Sequence, residues 1–232
     1  MKKMIRQLYI SAAIAGAALS PQVHAATVID FEPAALTGLY FSGDSFTQNG
    51  YKMTVGFDSG IVDDVRAFTS GAPSGNTTQF YSQLNEGELI LEREDGGLFS
   101  LDGFDAAFVP LNPAAAGTTV LVALATFGDG TVGGLAFPFL GSSSDHFPFG
   151  NYSSPADFSS YTNVKQVEFF ACSYDGRNFC TTPLLNNGQF ALDNVVVTSV
   201  SSIPEPTTVV LFSLGLVGLA AHSRRRSRPS AR

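Results

Sequence analysis

The sequence predicts an all-β fold, an antiparallel β-sandwich, and two observations carry that prediction. Runs rich in Val, Ile, Leu, Phe, Tyr and Thr recur through residues 26–202, broken at short intervals by Gly, Asn, Asp, Ser and Pro. Nowhere in that body does an apolar 3.6-residue period develop, which removes amphipathic helices as building blocks. A body of roughly 180 residues can bury one substantial core. Many short strands with frequent turns do so as two packed antiparallel sheets.

The strands follow in order. Val28–Phe31 is short. Tyr51–Phe57 alternates, with Tyr51, Met53 and Val55 on one face and Lys52 and Thr54 on the other. Phe68–Thr78 holds Gly71, Pro73, Gly75 and Asn76 and reads as a loop. Gln79–Leu84 and Glu88–Glu94 flank Asn85-Glu86-Gly87, a hairpin connection by composition. Leu98–Leu101 and Ala106–Pro110 are separated by Asp102-Gly103. Thr118–Phe127 is the most strand-like stretch, and Thr131–Phe137 should pair back on it after Gly128-Asp129-Gly130. Phe139–Asn163, rich in Ser, Pro and aromatic residues, reads as a long surface loop. Val164–Ser173 and Gln189–Val200 close the sheet.

Both ends differ from this body. Lys2, Lys3 and Arg6 precede an apolar stretch from Leu8 to Leu19, and Val23-His24-Ala25 offers a cleavage site before Ala26, so residues 1–25 are expected to be a secretory signal peptide. Residues 203–232 form a tail in three parts. Ile203-Pro204-Glu205-Pro206 is extended by its prolines. Val209–Ala221 is apolar, with Gly215 and Gly218 permitting close helix contact. Arg224, Arg225, Arg226 and Arg228 should stay cytoplasmic. Taken as Thr207–Ser223, a single transmembrane helix would span ~26 Å against a hydrocarbon core of ~30 Å. Such an anchor suits a segment held briefly in the inner membrane and then cut.

All 20 acidic residues lie between Asp30 and Glu205, and only Lys52, Arg66, Arg93, Lys165 and Arg177 oppose them there, a net charge of −15 over that stretch. This surface repels phosphate backbones and excludes nucleic acid as a partner. Cys172 and Cys180 are the two cysteines of the chain, both in the exported part, and Tyr174-Asp175-Gly176-Arg177 between them signals a hairpin turn. A disulfide between them would close nine residues and contribute about 2.6 kcal/mol.

The tail resembles the PEP-CTERM sorting signal of Gram-negative exported proteins. The resemblance implies an exosortase as partner, recognition at Pro204, Glu205 and Pro206 with Arg224, Arg225 and Arg226 behind the helix, and delivery to the cell surface or outside. Gln189-Phe190-Ala191-Leu192-Asp193 looks like the Gln-Phe-x-x-Asp motif of a subset of those proteins. Asp30-Phe31-Glu32 near the start and Leu192-Asp193-Asn194-Val195 near the end are similar to jelly-roll modules of the carbohydrate-binding type. There the first and last strands are neighbours and their acidic residues hold a structural calcium. That likeness makes the sandwich jelly-roll-like and marks Asp30, Glu32 and Asp193 as candidate Ca²⁺ ligands.

Enzymatic readings find little support in the residues. His146 is the one histidine between the signal peptide and the tail, so no nucleophilic triad of the usual kind is available. Neither a phosphate loop nor a zinc spacing occurs. Glu88, Glu92 and Glu94 share one strand face, as a glycosidase carboxylate pair could, but such a face is also what a solvated strand presents. Sugar rings usually stack on exposed aromatics. The chain has no Trp, and Tyr152 and Tyr161, with Phe147 and Phe149, are the candidate platform. The expectation is a non-enzymatic protein of the surface or extracellular matrix, with an exopolysaccharide-binding module as its rival and a sandwich-fold glycoside hydrolase behind that.

Overall fold

Inward apolar side chains at every second residue dictate two sheets that share one core, and the computed structural model shows how the chain builds them. It describes residues 25–68, 72–109, 119–139, 147–174, 180–181 and 188–200. The expected signal peptide up to residue 24, the expected turn at Asp175–Arg177 and the tail with Pro204, Glu205, Pro206 and Arg224 to Arg226 lie outside the described residues. The elements are β1 (Ala26–Ile29), β2 (Gly38–Phe41), β3 (Ser45–Gln48), β4 (Tyr51–Asp63), β5 (Phe80–Arg93), β6 (Phe99–Phe108), β7 (Thr119–Phe127), β8 (Val132–Pro138), β9 (Gly150–Tyr152), α1 (Pro155–Phe158), β10 (Val164–Tyr174), β11 (Cys180–Thr181) and β12 (Phe190–Ser199). Every pair of these strands is antiparallel.

Two strands serve both layers. The first half of β5 pairs with β12 through Tyr81–Gln83, and its second half pairs with β10 through Glu88–Glu92. β4 follows it throughout, from Tyr51 opposite Arg93 to Asp63 opposite Phe80. The first layer is therefore β2, the end of β4, the start of β5, β12, β6 and β9, with β1 on the edge of β12. The second is β3, the start of β4, the end of β5, β10, β7 and β8. This is an antiparallel sandwich of jelly-roll type, in which strands that pass from sheet to sheet make the corner. β1 and β12 are neighbours as expected, with Ile29 opposite Val195.

The corner corrects one expectation. Asn85-Glu86-Gly87 is not a hairpin turn, because β5 runs on through it. Its partner β4 bends at the same level, with register shifts between Val55 and Ser59. Asn85 and Asp58 both take positive φ, 56° and 59°, and Asn85 Nδ2 donates to Asp58 Oδ1 at 2.6 Å. Buried Gln83 ties the bend: its Nε2 donates to the carbonyls of Ser59 at 2.7 Å, Phe57 at 3.2 Å and Leu84 at 3.3 Å. Turn composition is the same for a hairpin and for a bulged bend, so the residues do not tell them apart. Asp102-Gly103 misleads likewise. β6 is continuous, and Gly103 serves close approach: a Cβ there would lie 2.7 Å from the carbonyl oxygen of Tyr152.

Phe139–Asn163 is only partly the surface loop that its composition suggests. Among its described residues Phe147, Phe158 and Tyr161 are buried, β9 pairs with β6, and α1 is a single turn opened by Pro155. Phe104 of β6 stands at the centre of the core. Its ring meets Phe137 at 5.0 Å, Tyr152 at 5.5 Å, Phe158 at 5.8 Å and Phe169 of the opposite layer at 5.5 Å. A smaller cluster, Phe80, Ala107, Val109 and Ala191, lies under Val65, Phe68 and Phe149. β2 and β3 complete the elements that the residue pattern does not show.

Candidate functional site

Strand alternation decides what the second layer shows to solvent. In β10, Val167, Phe169 and Ala171 point into the core, so Glu168 and Phe170 point out. In β5, Leu89 and Leu91 point in, so Glu88, Ile90 and Glu92 point out. The β5–β10 register places Glu168 opposite Ile90 and Phe170 opposite Glu88. Phe57, just past the β4 bulge, is opposite Glu88 on the other side and is 61% exposed. The result is a groove of about 450 Å³ lined by Phe57, Glu86, Glu88, Glu168 and Phe170. Gly56 makes it possible, since a Cβ there would lie 2.3 Å from Glu88 Oε1.

Glu168 and Glu88 interact directly. Partial burial pushes the Glu168 carboxyl up to about 7, helped by its hydrogen bond to Glu88 and by the Glu88 charge. Near neutral pH the Glu168 carboxyl therefore carries a proton for part of the time. Glu92 is further along the strand and is held by Lys52 Nζ at 3.1 Å, while Glu94 lies beyond the end of β5 and is exposed. The sequence alone singles out Glu88 but not Glu168, because only the β5–β10 pairing joins them. An acidic residue between Val167 and Phe169 of a strand-like run was the available signal.

The terminal strands carry a second polar cluster. Asp193 is 1% exposed and accepts from Asn76 Nδ2 at 2.6 Å and from the Asn194 amide at 2.7 Å. Burial pushes its carboxyl up to about 7 despite these donors, and the charges of Asp105 and Glu32 add to the effect. Asp105 accepts from Asn151 Nδ2 at 2.6 Å and Asn194 Nδ2 at 2.9 Å. Asp30 accepts from Gln48 Nε2 at 2.5 Å and from the Glu32 amide at 3.2 Å. The oxygens of Asp30 and Asp193 thus meet amide donors. Among the described residues, no three acidic, histidine or cysteine side chains are grouped to hold a metal ion.

The tyrosine platform is corrected. Tyr161 is 2% exposed, and its hydroxyl donates to the Ala123 carbonyl at 2.5 Å. Tyr152 packs on Phe104 and Phe137, with its hydroxyl donating to the Pro138 carbonyl at 2.8 Å. Tyr161 and Phe147 are buried, while Tyr152 and Phe149 are partly buried against aromatic rings of the core. Backbone pairing of β10 with β11 puts Tyr174 opposite Cys180.

Residues 202–226 match the PEP-CTERM protein-sorting motif. No curated protein matches the chain. Among solved structures, the chain is similar to the tandem CBM22-1–CBM22-2 domain of Paenibacillus barcinonensis Xyn10C at 13% identity and a TM-score of 0.34, covering 80% of this chain and 49% of that one. The xylan-binding CBM22-1 domain of the same enzyme gives 11% identity and 0.28, covering 79% and 99%. Tailspike protein 4 of bacteriophage CBA120 gives 13% and 0.29, covering 74% and 20%. At these scores the likeness carries no inference about ligand or activity, and the sandwich rests on its strand pairing.

Proposed function

We propose that this protein is an exported, non-enzymatic component of the cell surface or extracellular matrix, held briefly in the inner membrane by its tail and cut there by an exosortase. One observation supports this above others: the sorting motif begins at residue 202, three positions after Ser199 ends the last strand of the sandwich. Cutting at Pro204-Glu205-Pro206 would then free the sandwich without breaking any described strand. The signal peptide, the apolar helix of residues 207–223 and a Cys172–Cys180 disulfide belong to the same proposal. They suit export into an oxidising compartment. Among the described residues no helix is long and apolar enough to cross a membrane.

Intact-mass analysis of the protein taken from exosortase-competent cells is the test. The expected mass lacks Val209–Arg232, with the new C-terminus at or near Pro204-Glu205-Pro206. Replacing those three residues by alanine should leave the uncut chain in the inner membrane. A native protein that keeps its arginine cluster would overturn the proposal. The second reading, an exopolysaccharide-binding module, is favoured by one feature, the exposed Phe57 ring beside the carboxyls of the groove. Retention of the protein on the producing cell's own polysaccharide would support it.

A further inference from the structure

We infer that the free edge of β8 is a pairing surface for a second copy of this chain, antiparallel about a two-fold axis at Gly134. β8 ends the second layer, and β7 is its one partner among the described strands. The hairpin between them sets which backbone groups are left over. The Phe127 amide donates to the Thr131 carbonyl at 2.9 Å, and the Gly130 amide to the Phe127 carbonyl at 2.9 Å. Following the unshifted register from there, Gly133, Leu135 and Phe137 exchange their bonds with Ala125, Ala123 and Leu121. Val132, Gly134 and Ala136 therefore turn their N–H and C=O groups away from β7, to the open edge.

Other edges are closed by side chains. On β2 the Phe41 amide donates to Asp44 at 2.8 Å, and on β1 the Val28 carbonyl accepts from Asn49 at 2.8 Å. On β8 the Tyr152 hydroxyl reaches the Pro138 carbonyl, at the far end of the strand. Charged side chains, the usual guard of a free edge, are missing from β7 and β8 alike. On a body as acidic as this one, that leaves a place where two copies meet without opposed charges.

The edge fits its own copy. Pairing Gly134 with its symmetry mate sets Val132 opposite Ala136 of the second copy, and every outward donor of both strands then finds an acceptor. A shift of two residues would bring in Pro138, which has no N–H to give. On the outer face Val132, 61% exposed in the single chain, meets the small Ala136 and is covered. On the inner face the half-buried Leu135 meets Gly133, which leaves room for it. The pairing rests on strand geometry and is independent of how the tail is processed.

Sedimentation velocity and amide hydrogen exchange on the protein as cells deliver it are the test. The expected result is a monomer–dimer equilibrium with a dissociation constant on the order of micromolar, as suits a small interface. Exchange at Val132, Gly134 and Ala136 should slow several-fold from dilute to concentrated protein. Gly134→Pro removes the central donor, whose amide serves no bond to β7, so the fold should persist and the dimer weaken at least tenfold. Val132→Lys restores a charged guard to the edge and should weaken it several-fold. Leu39→Lys, at an exposed position of β2, should leave the dimer unchanged and so controls for lost apolar surface. A protein that stays monomeric up to millimolar concentration would overturn the inference, even if the β8 edge captures a strand of another protein. So would a dimer unchanged by both Gly134→Pro and Val132→Lys, or one whose three edge amides exchange as fast as in the monomer.

Discussion

Among the described residues, Asp193 and Glu168 are the carboxyls whose protonation the fold favours. Both rise from the ordinary carboxylate range to about 7, chiefly by burial. The sign follows from linkage. Between the unfolded value near 4 and the folded value near 7, the native state binds more protons than the unfolded chain, so stability falls as pH rises through that window. Below pH 4 and above pH 7 these groups add no slope. The thermal midpoint should therefore be a few degrees higher at pH 5 than at pH 8. Glu168→Gln, at an outward-facing position, should remove part of that difference without loss of fold. A midpoint that climbs from pH 5 to pH 8 would contradict the assignment.

At the scale of the element, the bend shared by β4 and β5 decides the architecture, and Gln83 holds it. Its amide nitrogen donates to three carbonyls beside the bulges, and its oxygen accepts from the Tyr81 hydroxyl. Gln83→Leu keeps similar bulk but strands these partners in a buried site. The expected loss is about 1–3 kcal/mol in urea unfolding, and Gln83→Glu should not restore it. Gly60 belongs to the same corner, since a Cβ there would lie 2.2 Å from the Tyr81 hydroxyl oxygen. The fully buried Tyr81 cannot move aside, so Gly60→Ala should cost a comparable 1–3 kcal/mol, roughly.

Across the whole molecule, the two layers are one cooperative body because Phe104 touches aromatic rings of both. Its neighbours come from β8, β9, α1 and β10. Phe104→Ala should cost about 3–5 kcal/mol, and because the rings interlock the loss should appear as one earlier transition rather than two. Fluorescence and far-ultraviolet circular dichroism should report the same shifted midpoint. Separate transitions for the two layers would show that the shared strands alone do not couple them.

The sequence by itself determined what local chemistry encodes. Strand alternation at Tyr51, Met53 and Val55 places them in the core, where they are. Gly, Asn and Asp punctuation separated β7 from β8, and the residues around Pro204-Glu205-Pro206 carried the sorting motif. Tertiary structure decided the rest, because identical composition serves different ends. Asn85-Glu86-Gly87 could turn a chain back or bend it between layers, and only the matching bulge at Asp58 selected the bend. Tyr161 could face a sugar or the core, and burial beside Phe127 and Phe158 chose the core. Glu88 gained its partner through a pairing of strands more than seventy positions apart in the chain. Local pattern fixes which way a side chain points. What it meets there depends on which distant strand lies alongside, and one antiparallel ladder places no local mark on another.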